Sequence, residues 1–116
     1  MKSLQDKLRG VLNALLSVRN GEGEEIPVYH YRRTESPKNG YIVWAEDREG
    51  EDFFGDNRKA EQQIHGTIDF FTLKEFDETV DSIQESLVFR GIGFRLNSVQ
   101  FEDDTNLIHY EFEFWV

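Results

Sequence analysis

The sequence predicts an α+β fold in which two helices pack on one face of a mostly antiparallel sheet, in the order α-β-β-β-α-β-β. Apolar residues repeat at intervals of three and four near the N-terminus and again before Gly91, which is the spacing of one helix face. Five other stretches are rich in β-branched and aromatic residues and are separated by turn formers, which is typical of strands. We expect one domain over residues 1–116.

The first helix is predicted to begin after Ser3, which together with Asp6 resembles an N-terminal cap. The helix should end near the turn NGEGEE at residues 20–25. Its apolar face is formed by Leu4, Leu8, Val11, Leu12, Leu15 and Leu16.

The next two strands are predicted at residues 26–33 and 41–47, as a hairpin with the long tip TESPKNG. Residues 48–60 have loop composition around the pair Phe53 and Phe54, and we expect this loop to be mobile in the free protein. The stretch EQQIHGTIDFFT then alternates between apolar and polar residues, which predicts a third strand buried on one face.

The second helix is predicted from a cap near Asp77 to a terminating glycine, Gly91. Its apolar stripe is Phe76, Val80, Ile83 and Leu87. Two strands follow, and the apolar positions of the first change phase, which predicts a bulge at Asn97 and Ser98. In the closing stretch LIHYEFEFWV the alternation puts Trp115 on the polar face, where the pattern gives it no role.

Charge and composition limit the possible functions. The formal net charge is −10, with +3 over residues 1–20, −4 over 21–60 and −9 over 61–116. Such an acidic surface disfavours nucleic-acid binding, because it repels phosphates. The chain has no cysteine, so thiolate chemistry is excluded. The N-terminal stretch resembles neither a signal peptide nor a membrane span, so we expect a soluble, unexported protein with no membrane partner.

The sequence shows no convincing catalytic motif. His30, His65 and His109 lie in predicted strands, and a histidine–carboxylate metal site would require the strands of His65 and His109 to be adjacent. Isolated histidines on a strand face are more typical of cross-strand pairing. No serine occupies a glycine-flanked elbow, and the GIG stretch is too short for a phosphate loop. We therefore predict a protein that is not an enzyme, with no catalytic residues, metal or cofactor.

Aromatic residues instead suggest an interaction surface. The pair Phe53 and Phe54 in a charged loop is a candidate contact, and Trp44 and Trp115 exceed what a small core needs. The alternative that most of these aromatic residues belong to the core stays open.

The stretches DNRKAEQQIHGTIDFFTLKEFDETVDSIQESL and GIGFRLNSVQFEDDTNLIHYEFEFWV resemble the tail-completion, or tail-terminator, proteins encoded in the head-to-tail joining region of tailed bacteriophages and prophages. Those proteins place a helix first, then a long β-region whose third strand ends in a run like TIDFFT, then a helix and a closing hairpin. The resemblance covers about residues 26–116, and the first helix matches only in kind.

The resemblance implies a structural protein of the virion tail or neck, assembled in the cytoplasm of the bacterial host. It implies a ring, commonly a hexamer, that caps the tail tube and contacts the tail tube protein and the head-connector protein, while DNA passes through without specific binding. With the terminal tryptophan added, the candidate contact residues are Tyr41, Trp44, Phe53, Phe54, Arg58, Lys59, Glu78, Asp81, Glu85 and Trp115.

Two other functions stay open. The first is a small acidic adaptor or inhibitor, not an enzyme, that binds a host protein through the same aromatic loop. The second is an enzyme of unknown type, which would require the histidines to converge.

Overall fold

The computed structural model describes residues 2–50 and 62–116. The described residues form two helices and five strands, and they confirm the α+β class, the mostly antiparallel sheet and the element order. In chain order the elements are α1 Leu4–Leu16, β1 Val28–His30, β2 Tyr41–Glu49, β3 Ile64–Thr72, α2 Thr79–Phe89, β4 Gly93–Glu102 and β5 Leu107–Trp115.

The sheet has the strand order β1-β2-β3-β5-β4, with every neighbouring pair antiparallel except β1 and β2. The predicted hairpin of the first two strands is therefore wrong, because β1 runs parallel to β2. The three residues of β1 span only about 10 Å, and the connection that follows is long enough to carry the chain back to the same end of the sheet.

The predicted cap of α1 is confirmed, because Ser3 Oγ accepts a hydrogen bond from the Asp6 amide at 3.1 Å. Leu8, Val11 and Leu15 are buried as expected. Leu16 is 52% exposed, so its assignment to the core is wrong. Leu16 is the last residue of the helix and follows the fully buried Leu15, from which it is turned by about 100° around the helix axis.

Asp77 marks the start of α2, although the helix itself begins two residues later. Its Oδ1 accepts from the Thr79 amide at 2.9 Å, and its Oδ2 accepts from the Thr72 hydroxyl at 2.7 Å. Gly91 has φ +69° beyond the end of the helix, which confirms the predicted terminator. Phe76 is 86% exposed, so its place in the apolar stripe is wrong: it precedes the helix with φ 58°, and this backbone conformation directs it outward.

One face of the sheet packs against both helices. The core contains Val11 and Leu15 of α1 together with Ile83 and Leu87 of α2. The sheet contributes alternate residues of its strands, namely Ile42, Trp44, Ile64, Ile68, Phe70, Phe112 and Phe114. The predicted bulge is confirmed, because the register of β4 against β5 shifts between Leu96 and Ser98. No helix in the described part of the chain has the length and apolar character needed to cross a membrane.

Candidate interaction surfaces

The sheet face opposite the helices carries a row of aromatic rings across neighbouring strands. The register aligns Tyr41 of β2 with Phe71 of β3, and Phe71 with His109 of β5. The rings stack at centroid distances of 4.8 Å and 4.3 Å, and Tyr29 of β1 meets Tyr41 edge-on at 6.2 Å. This row crosses four of the five strands and stiffens the open face at one end.

An acidic pair lies next to this row. Asp69 and Glu111 are directly opposite each other on β3 and β5. His109 Nε2 lies 2.8 Å from Asp69 Oδ1. Burial raises the pKa of Asp69, and the neighbouring Glu111 raises it further, while His109 lowers it without cancelling the effect of burial. Like charges across a strand pair are unfavourable, so His109 is the group that makes this arrangement tolerable.

The other end of the same face is organised around Glu113. Its carboxylate lies 3.3 Å from Arg95, 3.4 Å from His65 and 3.6 Å from Arg48. Burial raises the pKa of Glu113, but the charge of Arg95 and hydrogen bonds from side chains that include His65 outweigh burial and hold the pKa below its usual value. This end of the open face is therefore a network of paired charges.

Trp115, to which the sequence pattern gave no role, packs on this end of the open face. Its indole lies over Gly93, where a Cβ atom would collide with the ring, and it stacks on His65 at 6.1 Å. The tryptophan therefore packs on the open face of the sheet rather than protruding from the chain end.

His30 lies on the opposite, helix-bearing face at the β1 edge. Its ring is sandwiched between Tyr31 at 3.8 Å and Trp44 at 4.0 Å. Glu46 accepts a hydrogen bond from the Tyr31 hydroxyl at 2.6 Å and lies 2.7 Å from His30 Nε2. Burial raises the pKa of Glu46, but these two partners outweigh it and leave the pKa lowered, while the bond to Glu46 raises the pKa of Tyr31.

The three histidines do not converge. β3 and β5 are indeed adjacent, but His65 is opposite Trp115 and His109 is opposite Phe71, so the two are separated by about 20 Å along the strands. Each histidine has its own carboxylate partner. Within residues 2–50 and 62–116, no three histidine or acidic side chains meet in an arrangement that could hold a metal ion.

The predicted contact residues are distributed unevenly. Tyr41 is 7% exposed and Trp44 only 2%, which removes both from the accessible surface. Tyr41 is covered by its aromatic neighbours, and Trp44 is part of the core. Trp115 is half-buried. The acidic residues Glu78, Asp81 and Glu85 are exposed on or beside α2. Phe53, Phe54, Arg58 and Lys59, with most of the predicted mobile loop at 48–60, lie outside the described residues; β2 itself continues to Glu49.

Sequence reasoning missed a set of exposed apolar residues. Val88 and Phe89 at the end of α2 are 68% and 86% exposed, and Val99 and Phe101 of β4 are 51% and 59% exposed. The apolar positions of β4 predicted only the bulge. In the described structure Val99 and Phe101 lie on the helix-bearing face and are more than half exposed. An alternating pattern identifies the face on which the apolar side chains of a strand lie. Whether those side chains are buried depends on the position of the strand in the sheet, because an edge strand has a neighbour on one side only.

No protein-family model matches the chain, and no curated protein matches it. The fold and the surfaces define a small α+β protein with an open, charge-paired sheet face and an apolar sheet edge.

Proposed function

We propose that this chain is a structural protein of the tail-completion type, which caps the tail tube of a bacteriophage or prophage and helps to join the tail to the head connector. It acts as a ring, commonly a hexamer, without catalysis. The observation that carries the proposal is the element order. The TIDFFT run ends β3, α2 follows it, and the hairpin of β4 and β5 closes the chain, as in the proteins that the sequence resembles.

The surface also suits a protein that works by contact. Apolar side chains are exposed at the end of α2 and along β4, and exposed apolar patches mark interaction sites. Glu78, Asp81 and Glu85 give α2 an acidic outer side. Residues 1–20, which include α1, carry a net charge of +3, although Arg9 on α1 is paired with Asp6 at 3.1 Å. A closed ring requires two different, complementary surfaces on each chain, and segments of opposite net charge are one way to provide them.

The acidic charge suits a channel for DNA. A hexamer would carry six times the formal charge of −10, about −60, and a wall of the same sign as DNA would not retain it. The proposed role therefore involves DNA passing the protein without binding to it.

Deletion of the reading frame in the parent phage or prophage tests the proposal. Electron microscopy of the particles should show filled heads separated from tails that are overlong or ragged, and a plasmid copy of the gene should restore joined particles. Normal joined particles without the gene would contradict the proposal and favour an adaptor or inhibitor of a host protein.

Charge-reversed variants on the plasmid test the acidic side of α2. Asp81→Lys with Glu85→Lys should fail to restore joined particles, because the change removes one of the two complementary patches. Glu35→Lys with Asp104→Lys is the matched control, since both residues are exposed and lie in loops outside α2. Equal restoration by both double variants would exclude α2 from the contacts.

A further inference from the structure

The two edges of the sheet differ in length and protection. The β1 edge has three residues, and the chain leaves it at Tyr31, whose φ of 75° ends the strand. The β4 edge has ten residues, pairs with β5 on one side, and has no strand on its other side in the described structure. Its outward backbone groups are therefore available to a further strand.

The β4 edge has only part of the usual protection against pairing. Its sequence, GFRLNSVQFE, contains neither lysine nor proline. Its charged residues, Arg95 and Glu102, lie toward its two ends, and the bulge at Asn97 interrupts the edge between them. Leu96, Val99 and Phe101 are 45%, 51% and 59% exposed and lie on the helix-bearing face. They share this face because the bulge at Asn97 shifts the alternation by one residue.

We propose that β4 pairs antiparallel with β4 of a second copy of this chain, about a two-fold axis at Val99, so that the two five-stranded sheets become continuous. In this register Val99 opposes Val99 of the second copy. Leu96 opposes Phe101 of the second copy once Asn97 is skipped, as it already is against β5. Apolar side chains then meet apolar side chains at Leu96, Val99 and Phe101 on the helix-bearing face.

The open face is equally self-complementary in this register. Arg95 opposes Glu102 of the second copy, and Ser98 opposes Gln100, so the two-fold axis generates two pairs of opposite charge. A slip by one residue would put apolar side chains opposite polar ones. A slip by two residues keeps the faces but places Arg95 opposite Gln100, or Glu102 opposite Ser98. Charge therefore selects the register centred on Val99.

The two-fold pair is a different contact from the proposed ring, because it joins the same surface of both copies whereas ring closure joins two different surfaces. The inference rests on the β4 edge alone and does not require the phage role. Its consequence for the free protein is that a long apolar edge is covered before any other partner is met.

Sedimentation of the full chain over a range of concentrations is the first test. We expect a reversible species of twice the 13.7 kDa chain mass. Glu102→Arg, which opposes Arg95 with a second cation, should weaken the dimer by about tenfold in dissociation constant. A monomer at every concentration up to the millimolar range would overturn the proposal.

Cross-linking tests the register, since the chain has no cysteine of its own. Val99→Cys should form a disulfide with itself on mild oxidation, because residues directly opposite in an antiparallel pair have Cβ atoms about 5 Å apart. Val88→Cys, which is similarly exposed on α2, is the control and should remain monomeric on a non-reducing gel.

A mixture of two single variants completes the test. Leu96→Cys should cross-link to Phe101→Cys more rapidly than either variant cross-links to itself. Equal cross-linking of Val99→Cys and Val88→Cys would overturn the proposal. A Val99→Cys chain that forms no disulfide on oxidation would also overturn the proposal. That result would leave the proposed assembly role standing, because ring closure joins other surfaces.

Discussion

Gly66 and Gly10 offer the same chemical change, glycine to alanine, with opposite expected effects on stability. Gly66 lies in β3 opposite Phe114, whose ring covers it. A Cβ atom there would lie 2.6 Å from two atoms of that ring and would also collide with the backbone carbonyl of Ala45. Gly10 lies inside α1, and a Cβ atom there would meet nothing within 4 Å.

The magnitudes follow from these surroundings. Gly66→Ala should lower the free energy of unfolding by about 1–3 kcal/mol, because a backbone carbonyl in a sheet cannot move aside and the ring must shift instead. Gly10→Ala should raise it by about 0.5–1 kcal/mol, because alanine restricts the unfolded chain and suits a helix interior. Gly66→Ala should therefore be less stable than the parent protein, and Gly10→Ala should be more stable.

Urea denaturation followed by circular dichroism measures both changes. With a dependence of about 1–3 kcal/mol per molar urea, the midpoints of the two variants should differ by on the order of 1 M. As a control, the dependence of the free energy of unfolding on urea concentration should be the same in both variants as in the parent. If Gly66→Ala were as stable as Gly10→Ala, the close contact between Phe114 and the β3 backbone would be refuted.

Two further predictions concern carboxylates. Asp77→Ala should destabilise the fold by about 0.5–2 kcal/mol, against almost no change for Glu75→Ala on the exposed loop. The pKa of Asp77 in the folded protein lies below its ordinary 3.8, so its carboxylate stabilises the fold only while it is ionised. The difference in the free energy of unfolding between Asp77→Ala and the parent should therefore shrink as the pH falls through 3.8 and below. A difference that persists when Asp77 is fully protonated would contradict this reason. His109→Ala should raise the pKa of Asp69 further, measured by carboxyl-carbon NMR titration, because the partner that lowers it is lost; an unchanged or lower pKa would contradict the pairing.

The features that were predictable from the sequence are those set by neighbours along the chain. Ser3 caps α1 by accepting a hydrogen bond from the amide of Asp6, three residues later. Gly91 ends α2 because it adopts a positive φ. The bulge at Asn97 is visible as a change of phase in the apolar pattern of one strand. Each of these requires only local geometry, so a pattern in one stretch contains the necessary information.

The features that were not predictable depend on which strands lie side by side. The parallel direction of β1 is decided by the path of the chain after Tyr31, and no residue pattern within β1 distinguishes it from a hairpin strand. The burial of Tyr41 depends on Tyr29 and Phe71, two neighbours from other strands. The charge network around Glu113 of β5 likewise draws on three other strands, and none of its partners is adjacent to it in sequence.

The exposure of the distal half of β4 follows from the lengths of the elements. The eleven residues of α2 rise about 16 Å, whereas the ten residues of β4 extend about 33 Å. A helix of this length covers half of such a strand, and the half it leaves open contains Val99 and Phe101. The apolar pattern of β4 nevertheless continues to its end. Within the described residues, the sheet thus has more apolar surface than α1 and α2 cover, and pairing with a second copy is a way to bury the excess.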